Sequence, residues 1–63
     1  MIHFEDSEAS GNWTWHYGSY EKGDKQYDFT VLEMSPGAYE LTWVDETPDD
    51  AEVVEKVVEE KFG

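Results

Sequence analysis

The chain has 63 residues, so it holds one domain, residues 1–63, and no second core. Sixteen carboxylates face four lysines and no arginine, for a net charge of −12; this excludes the basic patches that nucleic acids and anionic membranes require. There is no cysteine, hence no disulfide framework and no thiolate metal site.

So short a chain buries only about 60% of its unfolded surface, and its core must be rich in large side chains. Three Trp, four Tyr and three Phe meet that need. No segment approaches the ~20 apolar residues of a membrane span, and no secretory signal pattern opens the sequence. The expected location is the cytoplasm, or the host cytoplasm if the source is a phage.

Ile2 to Glu5 alternates apolar and polar residues and predicts a short strand. Asp6 to Gly11 is polar, ends in Gly and reads as a loop. Trp13, Trp15 and Tyr17 alternate with Thr14 and His16, a strong half-buried strand extending toward Tyr20. Gly18 within it implies a bulge or a close backbone approach. Residues 21–25 form a polar hairpin connection. From Gln26 to Met34, Tyr27, Phe29 and Val31 share one face; the apolar set changes face at Leu32 and Met34, which implies a bulge or twist. Ser35-Pro36-Gly37 is a turn. From Ala38 to Asp45, Tyr39, Leu41 and Trp43 share a face opposite Glu40 and Thr42.

Thr47-Pro48-Asp49-Asp50 predicts a helix start, with Thr47 as N-cap, Pro48 at the first helical position, acids in the first turn and Asp50 placed for a near capping box. Val53, Val54, Val57, Val58 and Phe62 then recur on one helical face, and Glu52 and Lys56 are spaced to pair. The expected fold class is α+β: an antiparallel four-stranded meander sheet with one C-terminal α-helix packed on one face. A small β-barrel with a terminal helix is the alternative. The aromatic rows of the second, third and fourth strands are expected to meet the valine face, with Trp13, Trp15, Tyr27, Phe29, Tyr39 and Trp43 in the core. Tyr17 and Tyr20 are expected near a strand end, partly exposed.

Chemical motifs are sparse. No Cys nucleophile, nucleophile elbow or Gly-rich phosphate loop is present, and a carboxylate pair carries no information among so many acids. No enzyme activity and no cofactor are expected. His3 and His16 can join a metal site across strands; exposed or hydrogen-bonded positions on polar strand faces are the simpler reading. The acids near Asp45 lack EF-hand spacing, and Asn12-Trp13-Thr14 is a sequon only by pattern.

The acids are better read as a surface. Solubility needs a net charge of magnitude about 2–8, and the excess repels itself at a cost in stability. Alternate strand residues lie ~6.6 Å apart and helix residues four apart rise ~6 Å, a scale similar to that of DNA phosphates. Asp28 and Glu40 form a row on the outer sheet face, and Glu52, Glu55 and Glu59 a row on the helix. Asp45, Glu46, Asp49 and Asp50 add charge at the strand–helix junction, and Glu5, Asp6 and Glu8 add an acidic edge. The expected partner-binding residues are Asp28, Glu40, Asp45, Glu46, Asp49, Glu52, Glu55 and Glu59.

In size, charge and sheet-plus-helix layout the chain resembles phage-encoded inhibitors that imitate nucleic acid, including some anti-CRISPR proteins. The resemblance implies a non-enzymatic inhibitor that blocks a basic nucleic-acid-binding surface of a protein complex, acting as monomer or dimer and binding neither nucleic acid nor membrane. It carries over no residue roles. A structural or designed scaffold without a natural ligand, and a halophilic small binding domain, remain as alternatives.

Overall fold

The computed structural model describes residues 1–63. Four strands form one antiparallel sheet in the order β1-β2-β3-β4, followed by one helix. The strands are β1 (Ile2–Ser10), β2 (Trp13–Lys22), β3 (Lys25–Ser35) and β4 (Ala38–Trp43); the helix is α1 (Glu52–Phe62). The sheet is open, so the α+β meander is the observed architecture.

Two-residue loops set the first two hairpins. Gly11 and Gly23 adopt φ of 65° and 64°, and the residue after each has no positive φ. Gly at the first loop position is the II′ pattern, whose twist suits paired strands. The residues read as a loop, Asp6 to Ser10, instead continue β1 and pair with Trp13 to Tyr17. Their polarity marks an edge strand, and a bulge at Glu5 shifts the register between Phe4 and Asp6. A second register shift lies between Glu33 and Ser35, where the apolar residues of β3 change face.

The core lies between one sheet face and α1. Phe29, Val31, Val54 and Val58 are buried at its centre, with Ile2, Phe4, Leu41, Trp43 and Phe62 packed around them. Full burial of one such valine contributes roughly 1.5–3 kcal/mol. Val53, expected on the apolar helix face, is exposed.

The face assignment of β2 departs from expectation. Gly18 pairs with Phe29 and Phe4, and Tyr20 with Tyr27 and Ile2, so the set Thr14, His16, Gly18 and Tyr20 faces the helix. Trp13, Trp15 and Tyr17 therefore lie on the opposite face, outside the core. Trp13 is 49% exposed, whereas Tyr20, expected to be partly exposed, is only 8% exposed. The reason is volume. The Phe29 ring lies in the space that a missing side chain at Gly18 leaves, and Phe4 meets it edge to face, with centroids 5.7 Å apart. An indole row on that face would have no such room.

The helix start also differs. Thr47 is not the N-cap and Asp50 makes no capping box: α1 begins at Glu52 with Ala51 as N-cap and no side-chain cap. A tight turn leads in, its Ala51 N–H donating to the Pro48 carbonyl at 3.2 Å. Glu52 and Glu55 in the first turn and Lys61 in the last suit the helix dipole.

Candidate functional site: the acidic surface

The carboxylates occupy three regions. Asp28 and Glu40 stand exposed on the outer sheet face, on β3 and β4, paired in register with Ser19 and Leu32 respectively. Asp28 accepts a hydrogen bond from Gln26 Nε2 at 3.0 Å. Glu52, Glu55 and Glu59 are exposed on α1, on the other side of the molecule. Asp45 and Glu46 are exposed between β4 and α1. The two rows therefore belong to opposite faces, and one flat partner meets only one of them. On the helix side, Glu55 lines a cleft of ≈ 420 Å³ with Tyr39, Leu41, Trp43 and Thr47.

The junction acids serve the fold. Lys22 Nζ donates to Asp49 Oδ1 at 3.0 Å and lies 3.3 Å from Asp50 Oδ1. The latter contact lacks hydrogen-bond geometry and is electrostatic only, since Asp50 Oδ1 is buried without a hydrogen-bond partner. The Tyr20 hydroxyl donates to Asp50 Oδ2 at 2.7 Å. These contacts draw the loop before α1 onto β2 and replace the caps expected of Thr47 and Asp50. The Lys22 hydrogen bond holds the Asp49 carboxyl below the usual range, and the Tyr20 hydrogen bond does the same for Asp50. Reciprocally, the bond to Asp50 raises the Tyr20 phenol, and the hydrogen bond to Asp49, with the Asp50 carboxylate beside it, raises the Lys22 ammonium.

The two imidazoles lie on opposite faces of the sheet, which keeps them out of one metal site. His3 Nε2 lies 3.3 Å from Glu21 Oε1 on the outer face. On the helix face, His16 Nε2 donates to Glu33 Oε1 at 3.1 Å, which leaves Nδ1 to accept from Ser7 Oγ at 2.9 Å. Phe62 packs on the His16 ring, with centroids 4.5 Å apart. This Ser7–His16–Glu33 chain has the order of a nucleophile relay. None of the three residues lines a cleft that could hold a substrate, and the chain fastens β1, β2 and β3 to the end of α1.

Charge compensation is slight. Only Glu21, Glu33, Asp49 and Asp50 have a lysine or imidazole partner, which leaves twelve of the sixteen carboxylates without one. Glu52 and Lys56 do not close into an ion pair, and Lys25 and Lys61 have no carboxylate partner; Lys61 instead sits 5.0 Å from the centre of the Phe4 ring.

Alternation in β2 showed that Trp13, Trp15 and Tyr17 share a face, and Tyr17 is exposed as expected, but the sequence reading put Trp13 and Trp15 in the core rather than beside the acids. The signal present was Gly18, whose empty position marks the crowded face. Comparison with known protein families, curated proteins and solved structures found no match.

Proposed function

We propose that the protein is a non-enzymatic acidic inhibitor that occupies the basic nucleic-acid-binding surface of a protein complex, in the manner of anti-CRISPR proteins that imitate nucleic acid. The observation that carries this reading is the set of twelve uncompensated carboxylates on so small a frame. Their attraction is not spent inside the fold. It is available to steer a cationic partner from a distance and to speed docking. The short hairpins and the helix fix the backbone, so the carboxylates stand at set spacings, as phosphates do. Asp28 and Glu40 form one candidate contact row; Glu52, Glu55 and Glu59 form the other, with Asp45 and Glu46 between them.

The test is competition. Immobilised protein is exposed to a bacterial lysate at low salt and eluted with a salt gradient, and the late-eluting nucleic-acid-binding complex is loaded with a labelled oligonucleotide. Added protein should displace the oligonucleotide, with an affinity that falls steeply as salt rises. Displacement that ignores ionic strength, or that persists after Asp28, Glu40, Glu52, Glu55 and Glu59 are all changed to Gln, overturns the reading.

A further inference from the structure

The helix covers one face of the sheet and leaves the other bare. Along β2 on the bare face run Trp13, Trp15 and Tyr17, with Leu32 of β3 directly opposite Trp15. Trp13 is 49% and Tyr17 38% exposed. Carboxylates flank this strip on both sides. Asp6 is opposite Tyr17 and Glu8 opposite Trp15 on β1, and Glu40 of β4 is opposite Leu32. Opposed residues on one sheet face have Cβ atoms ~4.5–5.5 Å apart. A side chain lying across the Trp15 or Tyr17 ring therefore reaches a carboxylate.

We infer that this face is the docking surface, and that its occupant is an arginine-rich protein surface whose guanidinium groups stack on Trp13, Trp15 and Tyr17 and pair with Asp6, Glu8 and Glu40. The inference rests on the acidic-inhibitor reading and adds which face binds and which cation it selects.

Charge decides the occupant. A second copy of the chain would set like carboxylates against one another in a drying interface, where repulsion grows. Nucleic acid is repelled in the same way. An apolar partner would bury Asp6, Glu8 and Glu40 without counter-ions. A lysine-rich surface satisfies the charge but not the rings, because an ammonium is a compact, strongly hydrated point charge. A guanidinium is planar and weakly hydrated, so it stacks on an indole and presents its fork to a carboxylate at once.

The experiment titrates the intact protein with an arginine-rich peptide and with its all-lysine counterpart of equal length. Calorimetry gives the affinities, and nitrogen-15 spectra follow the three indole N–H groups. The arginine peptide should bind about five- to tenfold tighter. The Trp13 and Trp15 signals should move, while that of Trp43, on the helix side, stays. Changing the exposed Trp13 and Tyr17 to Ser leaves only Trp15 to stack on, so it should bring the arginine affinity most of the way to the lysine value and leave the lysine value unaltered. Equal, salt-sensitive binding of both peptides, or shifts centred on Trp43, overturns this inference and leaves the acidic-inhibitor reading standing. Failure of both peptides to bind at low salt overturns both. Dimerisation of the free protein through this face, read by sedimentation and by shifts of Trp13 and Trp15 with concentration, assigns the surface to a second copy and overturns the inference.

Discussion

Gly18→Ala tests the packing that orients the whole sheet. A Cβ at Gly18 would lie 2.5 Å from Phe29 Cζ, 2.8 Å from Phe29 Cε1 and 2.6 Å from the His3 carbonyl oxygen. All three separations are shorter than real Cβ atoms tolerate. The Phe29 ring is fully buried and held edge-on by Phe4 and Trp43, so it has little room to withdraw. The His3 oxygen belongs to the backbone and moves only if β1 moves. Overpacking of this kind costs typically 1–3 kcal/mol. Gly18 has no positive φ, so alanine suffers no backbone strain there, and its smaller loss of chain entropy returns about 0.5–1 kcal/mol. The net cost is about 1 kcal/mol, which for a domain of this size lowers Tm by roughly 4–8 °C. Thermal and urea unfolding followed by circular dichroism measure it. Adding Phe29→Leu should relieve part of the clash, so the double variant loses less than the two single losses together. Gly18→Ala as stable as the wild type, or strict additivity with Phe29→Leu, refutes the packing argument.

Val54 and Val58 are fully buried, and either one changed to Ala should cost about 2 kcal/mol by urea unfolding, the lost methyl contacts outweighing alanine's better helix propensity. Glu59→Gln should leave Tm unchanged or raise it, because Glu59 has no cationic partner and lies toward the negative end of the helix dipole; added salt should raise the wild-type Tm by screening the surplus repulsion, and a fall in either measurement contradicts this. Tyr20→Phe removes the donor that depresses Asp50, so the Asp50 carboxyl carbon followed by NMR should titrate at higher pH in the variant. The depressed Asp50 favours folding above the ordinary aspartate pKa, a gain lost as pH falls through its folded value, and the raised Tyr20 favours folding below the ordinary tyrosine pKa, a gain lost as pH rises. The Tm difference between wild type and Tyr20→Phe should thus be widest near neutrality and shrink at both extremes; a flat difference contradicts the assignment.

Much of the fold was legible in the sequence because alternation and turn chemistry are local signals. The run Tyr27-Asp28-Phe29-Thr30-Val31 marks a strand whatever it packs against, and the valine stripe marks a helix face. Two local readings failed through tertiary contacts. The start of α1 moved from Thr47 to Ala51 because Tyr20 and Lys22, some thirty residues earlier in the chain, hold the acids expected to cap it. Asp6 to Ser10 became strand because β2 supplies a partner for a polar edge. The candidate site was half legible: Asp28 and Glu40 lie on the outer face, opposite the helical row, as their alternation with the core residues required, but nothing local placed Trp13 and Trp15 on that face beside them.

The acidity itself, the four strands, the helix and the meander order were determined by the sequence alone, since charge is a sum and secondary structure follows short periods. Which side of the sheet faces the helix was decided only by the tertiary structure. A period of two divides the residues of β2 into two sets without saying which set is inside. Three aromatics favoured one set, and the empty volume at Gly18, filled by the Phe29 ring from β3, gave the core to the other. The result is an exposed aromatic strip among unpaired carboxylates.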